Sequence, residues 1–102
     1  MTELIRWIAL KNICNELVGH KQPVHLHAST DMPDDHIAGV EFSPNQVDII
    51  LNMALTKSED MIIKALAHEM THVLNGDQDH KINFDEQCLI TENRIRERYE
   101  RL

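Results

Sequence analysis

The sequence predicts a small α+β domain in which three helices pack with a mainly antiparallel sheet of about three strands. Apolar residues recur about every 3.6 residues in three segments, as in helices, and alternate with polar residues between the first two segments, as in strands. The chain has 102 residues and contains no linker rich in Gly, Pro or Ser. Because a chain of this length supports one core, we expect a single domain over residues 1–102.

The charge balance limits the partners that the protein can have. Seventeen acidic against ten basic residues give a net charge of −7, which repels phosphate backbones and anionic membranes. Charges interrupt the first seven residues, and no apolar run approaches the roughly 18 residues of a membrane span. We therefore expect a cytoplasmic protein with no nucleic-acid or membrane partner, in which Cys14 and Cys88 are free thiols. The oligomeric state stays open, and a monomer is compatible with the sequence.

The first half of the chain predicts one helix followed by the strands. The helix is expected from Thr2 to Val18, because apolar residues recur at helical spacing there and Gly19 is suited to end it. The strands are expected at residues 24–29, 37–42 and 47–53, with a hairpin turn between the last two. In the first strand, His25 and His27 alternate with apolar residues and should face away from the core.

The second half predicts two helices. The second helix should begin near Thr56, which can form a capping box with Glu59, and should end at Gly76. From residue 65 onward it is apolar in almost every direction, so it must lie inside the domain as a central helix. The third helix is expected from Phe84 to Arg101, and its apolar periodicity places Glu92 on the inward face.

Three ionisable residues interrupt the apolar second helix, in the pattern His68-Glu69-Met70-Thr71-His72. Histidines four positions apart project from one helix face and can bind the same ion. Zinc suits imidazole nitrogen, and a catalytic zinc usually keeps three protein ligands and a water. Glu69 follows the first histidine, where its carboxylate can accept a proton from that water as general base. Without an ion, each buried polar group would cost about 1–3 kcal/mol, so a solvated face does not fit.

Two histidines leave one ligand to be found, and three residues compete for it. Glu92 ranks first, because an inward-facing carboxylate needs a cation or hydrogen-bond donors. Glu86 ranks second, since its position three residues after Asn83 is equally typical of a capping box. His80 ranks third, because it lies in a polar turn where a surface histidine is the ordinary expectation.

Other histidines and the single tyrosine are weaker candidates. An imidazole or phenol can stabilise a developing oxyanion, but these side chains have simpler explanations on strand surfaces, in loops or in the core. The residues concerned are His20, His25, His27, His36 and Tyr99.

The motif and Glu92, which follows it after nineteen residues, together resemble the gluzincin pattern of thermolysin-like peptidases. The short chain, with strands before the motif helix and a helix after it, is similar to the minigluzincins over roughly residues 24–102. This resemblance implies a zincin-like domain, peptidase activity, Zn²⁺ held by His68, His72 and Glu92, and an edge strand that pairs with an extended substrate. Either residues 37–42 or 47–53 could supply that strand. A metzincin would have Gly at position 75 and His at position 78, and this chain has neither.

The sequence therefore predicts a zinc-dependent hydrolase that cleaves peptide bonds in a peptide or protein substrate, with Glu69 as general base. One alternative is a zinc-containing binding or regulatory module on the same scaffold that does not turn over substrate or is latent. Another is a purely structural zinc with four protein ligands, to which His80 or Asp79 would contribute.

Overall fold

Three helices and three strands make up the fold. The structure is a computed structural model that describes residues 3–33, 35–80 and 82–101. The elements are α1 (Glu3–Leu17), β1 (Val24–Ser29), β2 (Ala38–Phe42), β3 (Val47–Asn52), α2 (Glu59–Asn75) and α3 (Phe84–Glu100). The predicted α+β class, with a small sheet and three helices, is confirmed, while the predicted helix start at Thr2 lies outside the described residues.

The sheet is mixed, with β3 in the centre between β1 and β2. The short turn between β2 and β3 makes this pair antiparallel, as the sequence predicts. β1 is parallel to β3, because the chain leaves β1 through a loop, runs back along the far edge as β2 and then returns in the direction of β1. The sheet thus has one parallel and one antiparallel pair, where the sequence indicated mainly antiparallel pairing, and both β1 and β2 are edge strands.

The core joins one face of the sheet to the helices. Side chains that alternate along the strands, such as Val24, Val40 and Ile49, are buried against the helices. His27 lies exposed on the other face, as the alternation predicts, and His25 is half-buried there. Both cysteines are free, as expected, and burial in the core raises the pKa of Cys14 to about 12.

The ends of α2 follow two different local signals. Gly76 ends the helix in the left-handed conformation with φ 76°, as predicted. The N-cap is Ser58, two residues after the predicted Thr56, and its Oγ accepts a hydrogen bond from the Met61 amide. Thr56 has another role, since its hydroxyl donates to the Asn52 carbonyl and closes the turn after β3. Within the described ranges, no helix is long and apolar enough to cross a membrane.

Candidate metal centre

α2 is the helix that carries the motif, and its packing explains why the motif is buried. It contacts β2 and β3 on one side and α3 on another, so it runs through the middle of the domain. His72 is buried, His68 is half-buried, and only 6 % of the surface of Glu69 is exposed. The spacing of four residues places the two imidazoles beside each other, with ring centroids 5.1 Å apart.

His80 completes a group of three histidines. The candidate ligand atoms of His68, His72 and His80 all lie within 4.8 Å of one another, and Nε2 of His72 is 3.3 Å from Nε2 of His80. Two nitrogens bound tetrahedrally to one zinc ion at their usual distances lie roughly 3.3 Å apart. The spacing of these two nitrogens therefore fits a shared ion, and the three histidines can hold a metal.

The turn after α2 brings His80 back towards His72. The left-handed conformation of Gly76 reverses the chain, and the Asp77 amide bonds back to the His72 carbonyl. The Asp77 carbonyl then accepts a hydrogen bond from Nδ1 of His72 at 3.2 Å. Since this bond fixes the proton on Nδ1, it leaves the Nε2 lone pair of His72 directed at the other imidazoles, as in many metal sites.

Phe84, the first residue of α3, packs against all three imidazoles. Its ring centroid is 4.6 Å from those of His72 and His80 and 5.0 Å from that of His68. The side chain is buried, with 3 % of its surface exposed. Phe84 thus forms an apolar wall that restricts the orientations of the rings. The sequence predicts Phe84 only as the start of a helix, because nothing in its local pattern reports the contact with the imidazoles of α2.

The electrostatics of the cluster favour neutral imidazoles. Burial, and next the neighbouring imidazoles, lowers the pKa of His68 and of His72 below the ordinary value for histidine. The carboxylate of Glu69 lies 4.0 Å from Nε2 of His68, and burial raises its pKa to about 7. Neutral imidazoles offer free lone pairs, so a metal ion need not displace protons from them.

A cleft of about 630 Å³ opens beside the cluster. One side of it is formed by α2 and the other by the start of β2, whose Ala38 lines the cleft. The walls are mainly apolar, and the ionisable residues of the cluster lie among them. The cleft is lined by residues that include Ile37, Ala38, Met61, His68, Glu69 and His80. Of the two strands proposed as the substrate edge, β2 is the one at the edge of the sheet, because β3 is central.

Glu92, the first-ranked third ligand, is not brought into the histidine cluster. It is half-buried on α3 and accepts a hydrogen bond from Nε of Arg96 at 2.9 Å. Arg96 also pairs with Asp60 at the start of α2. The inward-facing carboxylate that the sequence indicated therefore has a cation, but the cation is an arginine one turn further along the same helix.

The remaining candidates have separate positions. Glu86 is exposed in the first turn of α3, and Asn83 is the N-cap there without a side-chain capping bond among the described residues. Tyr99 donates a hydrogen bond to Glu59 and lies in the core. His36 lies at the rim of the cleft, whereas His27 pairs with Asp48 on the outer face of the sheet.

The sequence contains a local signal for the position of His80. A helix stop at Gly76 predicts a chain reversal, and a histidine four residues later can return to the helix end.

Comparison of the chain with protein-family models, with curated proteins and with solved structures finds no match. The site is therefore interpreted from its own geometry.

Proposed function

We propose that the protein is a zinc-dependent peptidase in which His68, His72 and His80 hold the metal ion and Glu69 is the general base. The observation that carries this proposal is the convergence of three imidazoles beside a buried carboxylate, in a cleft next to an edge strand. The proposed ligand set replaces Glu92 with His80. It thereby departs from the gluzincin pattern, because the third donor is a histidine from a turn instead of a helical glutamate.

The donor set supports a catalytic zinc over a structural one. Imidazole nitrogen is a preferred zinc ligand, and structural zinc sites almost always have four protein ligands. Within the part of the chain that the structure describes, the group comprises three residues, all histidines. Three protein donors leave a coordination position for water or substrate, which the purely structural alternative does not require.

The chemistry divides between the ion and Glu69. A bound zinc ion supplies Lewis acidity, which polarises a substrate carbonyl and makes water a stronger acid. Glu69 lies close enough to the cluster for its carboxylate to accept a proton from water at the open position and to pass it to the leaving amine nitrogen. No nucleophilic side chain is needed for this reaction, which agrees with the buried position of Cys14.

The cleft supports an extended peptide as the substrate. β2 is an edge strand, and a peptide can add through backbone hydrogen bonds to the start of this edge at Ala38, before the Val40 carbonyl that accepts from Gln78. Ala38 of β2 faces the cleft together with His68 and Glu69. The apolar side chains of Ile37 and Met61, both about half exposed, offer contacts to an apolar substrate side chain next to the cleaved bond.

The test separates hydrolysis from metal binding. In Glu69→Gln, kcat for an unfolded protein substrate such as casein should fall by about 10²–10⁴-fold, the usual contribution of a general base. One zinc per chain should remain bound, as measured by elemental analysis. Glu86→Gln removes an exposed carboxylate at the start of α3 and serves as the matched control with unchanged kcat.

Three outcomes would contradict the proposal in different ways. Loss of zinc from Glu69→Gln would make Glu69 a ligand and the mechanism wrong. Equal activity of Glu69→Gln and wild type would exclude Glu69 as the base. A wild-type protein that holds one zinc tightly and hydrolyses nothing, with or without added zinc, would favour the binding or regulatory module.

A further inference from the structure

We propose that Gln78 is a positioning residue that fixes the turn carrying His80 to the free edge of β2 and thereby sets the metal affinity of the site. The segment concerned, residues 77–80, is called the ligand turn here. The inference rests on the metal site of the proposed function but not on hydrolysis.

His80 differs from the other two histidines in how it is held. His68 and His72 belong to a 17-residue helix that packs in the middle of the domain. His80 lies outside regular secondary structure and is exposed. The position of its imidazole therefore depends on the conformation of the ligand turn and on the contact with Phe84, and not on burial of the residue itself.

The hydrogen-bond register of the sheet shows which groups of β2 are available to the ligand turn. The Asn52 amide donates to the Ile37 carbonyl, and the Ser43 amide donates to the Gln46 carbonyl. From residue 37 to residue 43, the odd-numbered residues therefore form the backbone hydrogen bonds to β3. In an antiparallel pair the residues between them direct their N–H and C=O groups the other way. The carbonyl of Val40 consequently points to the free edge of the sheet.

Gln78 uses that carbonyl. Its Nε2 donates to the Val40 oxygen at 2.9 Å, across 38 positions of sequence. The Asp77 amide bonds back to the His72 carbonyl of α2, and the Asp79 amide bonds within the turn to the Asp77 carboxylate at 3.1 Å. The Gln78 bond therefore ties the turn to the sheet, two residues before the proposed ligand.

Such an anchor affects affinity through conformational entropy. A turn that is already held against β2 presents His80 to the ion without a further loss of freedom, whereas a released turn must be ordered when the ion binds. Residues outside the ligand set that orient metal ligands typically change affinity by about 10–100-fold. For one neutral hydrogen bond in an exposed turn, we expect the lower end of this range.

The experiment measures zinc affinity directly. Gln78→Met keeps the length and neutrality of the side chain and removes its donor. By competition with a chromophoric chelator, its Kd for Zn²⁺ should rise about tenfold, which corresponds to about 1.4 kcal/mol. The thermal midpoint of the metal-free variant should stay at the wild-type value, because Gln78 is exposed.

A matched control exists in the turn between β2 and β3. Gln22 also donates its side-chain amide to a backbone carbonyl, that of Pro44 in this turn. Gln22→Met removes the same kind of bond without touching the ligand turn and should leave the Kd unchanged. If Gln22→Met and Gln78→Met weaken zinc binding equally, the effect is a general one and the proposed role of Gln78 is wrong.

A double substitution tests whether Gln78 acts through His80. His80→Ala alone should weaken zinc binding more than Gln78→Met does, because it removes a donor. Adding Gln78→Met to His80→Ala should cause no further loss. The proposal is overturned if the second substitution costs another tenfold in that background, or if Gln78→Met binds zinc as tightly as wild type.

These results are separable from the test of the peptidase. A wild-type protein that binds no zinc would overturn both proposals. A wild-type protein that binds zinc without hydrolysing peptides would overturn the peptidase alone, and the affinities of the variants would still decide the role of Gln78.

Discussion

Two sites in this molecule combine histidine with a carboxylate, and their surroundings differ in nearly every respect. On the outer face of the sheet, Nε2 of His27 lies 2.7 Å from the Asp48 carboxylate, and half of the His27 side chain is exposed. The Gln46 amide donates to both oxygens of Asp48. These hydrogen bonds, first that of Gln46 and then that of His27, lower the pKa of Asp48 below its ordinary value.

In the cleft, the pKa of the carboxylate is shifted in the opposite direction. Nε2 of His68 is 4.0 Å from the Glu69 carboxylate, beyond hydrogen-bond distance, and burial raises the pKa of Glu69. Nε2 of His72 faces Nε2 of His80 at 3.3 Å, and two protonated imidazoles at this distance would repel each other. The sheet site is satisfied by its own residues, whereas the cleft site gains from a cation. This difference marks one histidine group as a surface pair and the other as a candidate metal centre.

The largest expected effect comes from removing a ligand. His72→Ala should weaken zinc binding by at least about 1000-fold, since removing a donor should exceed the roughly 10–100-fold cost of changes outside the ligand set. His27→Ala should bind zinc like wild type, because its partner is Asp48. Titration with a competing chelator measures both affinities. His68→Ala repeats the test at a less buried position, in case His72→Ala fails to fold.

Equal zinc affinities of His72→Ala and His27→Ala would contradict the distinction between the two histidine sites. Zinc binding that survives both His68→Ala and His72→Ala but is lost in His27→Ala would move the metal site to the outer face of the sheet.

Removal of the metal ion should change the free energy of unfolding by nearly as much as the loss of a ligand changes the free energy of zinc binding. At a free zinc concentration about 1000 times Kd, binding to the folded state alone adds about 4 kcal/mol to the free energy of unfolding. In a domain of this size, that corresponds to a fall in Tm of roughly 15–30 °C when a chelator removes the ion. Thermal unfolding followed by circular dichroism measures the shift. His27→Ala should show the same shift as wild type, and a wild-type Tm that ignores the chelator would exclude a tightly bound ion.

The buried carboxylate should cost the metal-free protein stability. The pKa of Glu69 is raised from 4.5 to about 7 in the folded state, so its proton is lost more readily from the unfolded chain. Folded stability is therefore unaffected by this group below pH 4.5 and falls as the pH rises through about 7, by roughly 3 kcal/mol.

Glu69→Gln removes this dependence. In the presence of chelator, the variant should be more stable than wild type by roughly that amount at pH 8 and equal to it at pH 4. Urea unfolding at the two pH values measures the difference. A variant that is less stable than wild type at pH 8 would show that the Glu69 carboxylate has a stabilising partner in the metal-free protein.

The comparison also shows how much of the site could be predicted from the sequence. His68, Glu69 and His72 are related by local helical geometry, and the apolar residues around them indicate burial, so a short segment contains all the information. The third donor depends on where a turn leads the chain. The need of an inward-facing carboxylate for a cation favours Glu92 over His80 as a ligand, yet Arg96 lies one turn later on the same helix and supplies that cation.

The fold shows the same division between local and long-range information. The helices and strands follow from periodicity, and the end of α2 follows from Gly76. The direction of β1 relative to β3 could not be predicted in this way, because alternation in a strand reports which face is buried and not how its partner runs. The contacts of Phe84 and Gln78 could not be predicted for a related reason, since they depend on how the chain after α2 returns to α2 and to β2.

The smallest expected effect comes from the outer face of the sheet. Because the pKa of Asp48 is lowered in the folded state, its charge stabilises the protein above its ordinary pKa of 3.8, and this contribution is lost as the pH falls through that range. Asp48→Asn should lower Tm at pH 7 by at most a few degrees, since exposed ion pairs contribute little. The difference should shrink in 1 M salt, where charges are screened. A loss of zinc from Asp48→Asn, measured in parallel, would mean that the two histidine sites are coupled.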